Sequence, residues 1–235
     1  MDALSRRRIE MGTRALEFSR AHPDADAGYL AAGAKLEQLV ARANEAAAAQ
    51  RTGIVDARAA SARKNALRRT MLSVHIPHLA QVGQEAATED HELGKAFKFR
   101  PSAGTFLAFR TAARTMAAAA EASRDVLIKH GLATSVLDEL VRLLDEFDAA
   151  VTLGSDGRAR HMGATAELAA VGAGILRTVR VMDGRNRQRF QQDEKLLSTW
   201  LGVSAVLGKR RTTGTGTPTA PGEGTPPPGD VRPAA

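Results

Sequence analysis

No cysteine occurs among the 235 residues, which excludes disulfides, thiolate metal sites and thiol catalysis. Aromatic residues make up only 4% of the chain. Runs of β-branched residues bounded by hairpin turns are missing, which argues against a sheet. No apolar stretch approaches the roughly 18 residues of a membrane span. The opening residues, Met1-Asp2-Ala3-Leu4-Ser5-Arg6-Arg7-Arg8, lack the apolar run of a signal peptide. A cytoplasmic protein without a membrane segment is the expectation.

What the chain does have is 43% apolar residues, with alanine abundant among them. Alanine loses little entropy in a helix and lets neighbouring helices approach closely. The expected fold is all-α: an elongated antiparallel helical bundle over residues 1–208, with about four main helices, two of them long, and a short C-terminal helix. Residues 209–235 are rich in Thr, Pro and Gly, with Val231 the only large apolar side chain. Such a segment cannot bury enough surface to offset its ordering entropy, so a disordered tail is predicted there.

The first helix is predicted over Ala3–His22 and stops before Pro23, with Asp24 or Asp26 capping the next. Helix 2 is predicted from about Ala25 to Ile76, on the 3–4 spacing of Leu36, Leu39, Val40, Ala43, Ala47, Ile54, Ala57 and Ser61. Pro77 lacks an amide hydrogen and disfavours helix at Ile76, which predicts a kink or an end there, with a continuation over His78–Thr88. A third helix is predicted from Ser102 to His130, stopped by Gly131.

Helix 4 starts after a cap at Thr134 or Ser135 and carries the clearest heptad. Leu137, Leu140, Leu144, Phe147 and Val151 step by 3 and 4, and the register resumes through Leu168, Gly172, Ile175, Val179 and Met182. Between them it passes the polar set Gly154, Arg158, His161 and Thr165, and this continuity favours one helix over a break at Gly154-Ser155-Asp156-Gly157. A final helix, Asp193–Leu207, carries Leu196, Leu197, Trp200, Leu201 and Val203 and is expected to pack back on the bundle. The order of short helix then long helix occurs twice, with Leu36-Glu37-Gln38-Leu39-Val40 resembling Leu137-Asp138-Glu139-Leu140-Val141, a faint internal repeat.

Formal net charge is +7 and the pI about 10.3, and the charge is uneven. Each long helix begins acidic or neutral and ends basic. Residues 58–69 hold Arg58, Arg63, Lys64, Arg68 and Arg69, and residues 95–114 hold Lys95, Lys98, Arg100, Arg110 and Arg114, with no acid in either segment. Residues 177–189 hold Arg177, Arg180, Arg185, Arg187 and Arg189 against one acid, Asp183. If helices 2 and 4 run parallel, as in an up-down-up-down bundle, the three segments meet in one basic pole, a candidate surface for polyanions. Two plainer readings compete: helix-dipole complementarity, and neutralisation by Glu85, Glu89, Asp90 and Glu92. The run Lys95-Ala96-Phe97-Lys98-Phe99-Arg100 interleaves cations with rings, an arrangement that suits single-stranded nucleic acid, although Phe97 and Phe99 read more simply as a plug for the bundle end.

Catalytic and metal constellations are weak. The Glu-x-x-His pair of a di-metal bundle is absent. His75 and His78 flank Pro77 and with His91 make a poor candidate metal set. Asp56, Arg58, Asp156, Arg158 and His161 fall near the helix middles and read as a buried polar cluster that sets register, since no nucleophile accompanies His161 and Asp156. No catalytic, cofactor-binding or metal-binding residue is therefore assigned, and no small-molecule substrate is evident. The expected function is a non-enzymatic interaction or scaffold protein, self-associating through small-residue helix faces or binding a protein partner. The alternative is nucleic-acid binding through the basic pole.

Overall fold

The computed structural model describes residues 1–89, 93–99 and 105–206; the expected tail over 209–235, the expected helix start at Ser102, and Asp90, His91, Glu92 and Arg100 lie outside the described residues. Within them the protein is all-α, and two long helical stretches dominate it.

Helix α1 (Ala3–Ala21) is capped by Asp2, whose carboxylate accepts from the Ser5 amide at 2.8 Å. Helix α2 (Ala27–Thr70) is capped by Asp26, which accepts from the Tyr29 amide. A single π turn, Met71–His75, follows and leads without interruption into α3 (Ile76–Ala86). The Ile76 amide reaches back to the Met71 carbonyl, one residue further than an α-helical bond. Pro77 does not end the helical stretch: the π turn lies just ahead of it and α3 continues through it.

A one-turn helix α4 (Leu93–Ala96) precedes the predicted third helix, which is itself divided into α5 (Phe106–Ala122), capped by Thr105, and α6 (Arg124–Lys129) after a break at Ser123. Gly131 at φ +97° closes α6, with its amide on the Ile128 carbonyl and the Leu132 amide on the Leu127 carbonyl. This paired bonding is the left-handed glycine stop that the sequence predicts. Helix α7 runs unbroken over Thr134–Arg189. Its N-cap is Ala133 without a side-chain bond, so Thr134 and Ser135 lie inside the helix and do not cap it. Helix α8 (Glu194–Ser204) is capped by Asp193 and packs back on the fold through Trp200, which is fully buried with Nε1 donating to Asp183 at 2.8 Å.

α2 and α7 run antiparallel along their whole length. Asp24, just before α2, meets Arg185; Arg42 meets Glu167; Asp56 meets Arg160; and Arg63 meets Glu146. The parallel arrangement expected of the two long helices is thereby corrected. Its physical cause lies in the connection between them. Phe97 packs on Gly83 in α3, whereas Phe106 stands over Lys64 in α2, so the chain passes back along α2 before α5 begins. α5 therefore runs the same way as α2, with Phe109 over Arg68, and α7 makes the return stroke.

Two hydrophobic clusters hold the ends of this rod. One joins α1, the first half of α2, the last part of α7 and α8 through Met11, Phe18, Leu36, Ile175 and Trp200. The other joins the end of α2, α3, α5, α6 and the first part of α7 through Met71, Leu79, Phe97, Phe109, Leu127, Leu137 and Phe147. Full burial of a large apolar side chain contributes about 1.5–3 kcal/mol, so each cluster is substantial. Between them the buried α2–α7 contact runs mostly through small residues, among them Ala46, Gly53, Ala60, Gly154, Gly157 and Ala164.

Candidate interaction groove

The central contact of the rod is between backbones. A β-carbon on Gly157 would stand 2.9 Å from the Ala57 amide nitrogen and the Gly53 carbonyl oxygen. Glycine is needed at such a crossing because any side chain would force the helices apart. Gly12 and Gly174 likewise close on Ile175 and Leu39, so these small residues pack helices within the chain.

Two stripes run along one side of the α2–α7 pair. On α2 the residues Gln50, Ile54, Ala57, Ser61, Lys64 and Arg68 step by 4 and 3, so they share a helix face. On α7 the matching stripe is the predicted heptad register, running from Phe147 through Val151, Gly154, Arg158, His161 and Thr165 to Leu168 and Gly172. A third layer covers both ends of these stripes. At one end lies the start of α1, where the Met1 amine donates to Gln50 Oε1 and Ser5 and Arg8 lie against Gly172. At the other end lies the start of α5, with Phe106 and Phe109 over Lys64, Arg68 and Phe147. α1 runs outward from the waist in one direction and α5 in the other, so two helix N-termini face each other across a gap.

The gap is a groove of about 560 Å³, floored by Gly53, Ile54 and Ala57 and edged by Ser61, His161 and Met162, with Arg58 and Arg158 on its rims. Met162 is 70% exposed. His161 Nδ1 donates to the Gln50 carbonyl oxygen at 3.3 Å, and Gln50 Nε2 donates to Thr165 Oγ1 at 2.7 Å, which closes the α1 end with a polar network. At the α5 end Lys64 is only 6% exposed. Its ammonium lies 4.6 Å from the Phe106 ring centroid, and it has no ion pair among the described residues. Lys64 Nζ and Arg158 Nη1 both lie 3.8 Å from the place a Gly154 β-carbon would occupy, so the glycine opens room in which two cations converge. Arg58 and Arg158 also have no ion pair among the described residues.

The buried polar cluster read from the helix middles does not form. Asp56 pairs with Arg160 on the opposite face, and Arg58, Asp156 and Arg158 are exposed. Nor do the three basic segments meet. Residues 58–69 lie beside Glu146, whereas 177–189 lie beside Asp24, separated by roughly 40 residues of α7, or about 60 Å at the helical rise. Arg58, Arg63, Lys64, Arg68 and Arg69 on α2 do sit together, near Arg110 and Arg114 on α5, whereas Lys95 belongs to α4, which packs on α3.

Much of the basic set is paired. Arg63 binds Glu146; Arg110 binds Asp148; Arg114 bridges Asp145 and Asp148 at 2.6 and 2.9 Å. Arg185 donates to Asp24, Arg187 to Asp183, and Arg189 to the carbonyls of His22 and Pro23. Hydrogen bonds from Arg110 and Arg114 hold the Asp148 carboxyl below its usual pKa, and that from Arg185 holds Asp24 at about 2. Arg177 and Arg180 are exposed on α7. The rings proposed as stacking platforms turn inward: Phe97 is buried against Gly83, and Phe99 meets Phe109 edge to face. His75 is buried in the π turn, and no group that could hold a metal ion occurs among the described residues. No helix among them is long and apolar enough to cross a membrane.

Sequence reasoning named Arg58, Lys64 and Arg158 without placing them together, and it missed Ile54 and Met162 as groove residues. The available signal was the stripe itself, which turns polar over the same stretch on both long helices. Comparison of the chain with protein-family models, curated proteins and solved structures yields no significant match.

Proposed function

We propose that the protein is a non-enzymatic interaction protein that docks a protein partner at its waist. The observation that supports this reading is the interrupted third layer: α1 and α5 cover the two stripes at both ends and leave Ile54, Ala57 and Met162 open between them. An apolar floor with charged rims is the form of a helix-accepting groove. A photo-crosslinking amino acid at position 162 tests it, with Leu30, exposed at the far end of α2, as the comparison position. Adducts of discrete mass from position 162 alone, each remade with the purified partner, are the expected result. Adducts from neither position, or equally from both, would remove the reading.

The nucleic-acid alternative rested on three segments converging. With 177–189 at the other end of the rod, its remaining basis is the α2 cations Arg58, Lys64, Arg68 and Arg69 together with Arg158, which the experiment below also addresses.

A further inference from the structure

We infer that the occupant of the waist groove is an acidic amphipathic helix of a partner protein, an inference that rests on the docking role proposed above. Two independent features converge on negative charge. Arg58 and Arg158 stand on the rims without ion pairs among the described residues. Lys64 is nearly buried at one end with an aromatic ring and no carboxylate beside it. The N-termini of α1 and α5 face the gap, with Asp2 and Thr105 capping amides of their first turns. None of the residues lining the groove is acidic.

The shape points to a helix. The gap extends from Gln50, under the start of α1, to Lys64, under the start of α5, which is about 20 Å at the helical rise and matches a helix of about four turns. Such a helix, seated between α2 and α7, continues the layer that α1 and α5 begin. Its apolar stripe would meet Ile54, Ala57 and Met162, and its flanking carboxylates would meet Arg58, Arg158 and Lys64. A second copy of this chain fits poorly: a two-fold contact across the groove sets Arg58 and Arg158 against their own equivalents. The chain's own residues 209–235 offer no apolar stripe.

Because the chain has no cysteine, Met162→Cys gives a single attachment point for an environment-sensitive fluorophore on the full chain. The probes are a synthetic 16-residue helix, its length chosen to span the gap at about 1.5 Å per residue, with leucine and alanine at 3–4 spacing and glutamate elsewhere; the same peptide scrambled; its lysine counterpart; dodecanoate; and a single-stranded RNA oligonucleotide. The expected result is a saturable, salt-sensitive response to the acidic helix. It should weaken about tenfold or more in Arg58→Glu/Arg158→Glu, a folded variant that gains the lysine peptide. A wild-type response to the lysine peptide as strong as to the acidic one overturns the charge inference and leaves the docking role standing. An equal response to the scrambled peptide reduces the site to unspecific attraction and overturns it too. A response confined to dodecanoate or RNA overturns both the inference and the docking role. Silence from every probe overturns the acidic-helix inference, and silence from the photo-crosslinker at 162 separately overturns the docking role.

Discussion

The carbonyl oxygen of Gly157 lies 2.6 Å from the point where a β-carbon on Gly53 would stand, and the carbonyl of Gly53 lies 2.9 Å from the equivalent point on Gly157. Each helix thus presents bare backbone to the other at the middle of the rod. The reciprocal contact sets the distance between α2 and α7, and that distance sets the width of the groove above it.

Gly53→Ala and Gly157→Ala are expected to destabilise the protein in urea by about 1–3 kcal/mol, since forcing a methyl into packed backbone outweighs the gain from a better helix former. Gly163, on the same helix as Gly157, has open space around it. Gly163→Ala is therefore expected to stabilise by up to about 1 kcal/mol. Equal responses at positions 157 and 163 would contradict the close crossing.

Lys64 has a buried ammonium whose described partner is the Phe106 ring. Removing an unmatched buried charge relieves its desolvation, so Lys64→Met is expected to raise unfolding stability by about 1 kcal/mol even after loss of the ring contact. Urea denaturation decides it. A loss of stability would mean that the ammonium holds α5 to α2.

The Asp24 carboxyl is held down to a pKa of about 2, first by the hydrogen bond from Arg185 and then by the Asp26 amide. A carboxylate with a folded pKa below its ordinary 3.8 contributes stability above that value and loses it as pH falls toward about 2. Melting temperatures of wild type and Asp24→Asn should therefore differ at neutral pH and converge as pH drops through that window. A constant gap down to pH 2 would show that the charge of Asp24 is not what stabilises the α1–α2 turn.

The two hydrophobic clusters share only the α2–α7 pair, and the single tryptophan, Trp200, sits in one of them. Leu140→Ala, a fully buried site in the other cluster, is expected to lose about 2–5 kcal/mol there. The circular dichroism transition should shift while the tryptophan fluorescence transition stays near its wild-type midpoint. Coincident shifts would show that the small-residue waist transmits unfolding from end to end.

The all-α class, the unbroken α7 and the glycine stop at Gly131 were legible because periodicity and local caps report on the chain's own neighbourhood. The direction in which α7 lies against α2 was not, because no local signal says whether a connection or a helix makes the return from Phe97 to Phe106. The charge gradient nonetheless held the answer in another form. Two helices that both end basic neutralise one another when antiparallel, and Arg63 with Glu146 and Arg185 with Asp24 are that neutralisation. Likewise the step from Met71 to Ile76 breaks the 3–4 spacing by one residue, the mark of the π turn. The groove was hardest to see, since a polar stretch of heptad looks the same whether it is solvated or waiting for a partner.

A strut resists flexure least where its cross-section is smallest, and here that place is the pair of helices around Gly53 and Gly157. Between two stiff ends, any load that bends the molecule concentrates its curvature there. Seating a further helix over the thin section would brace it, so occupancy would be coupled to rigidity: the filled protein would transmit force along its full length, and the empty one would bend at its middle.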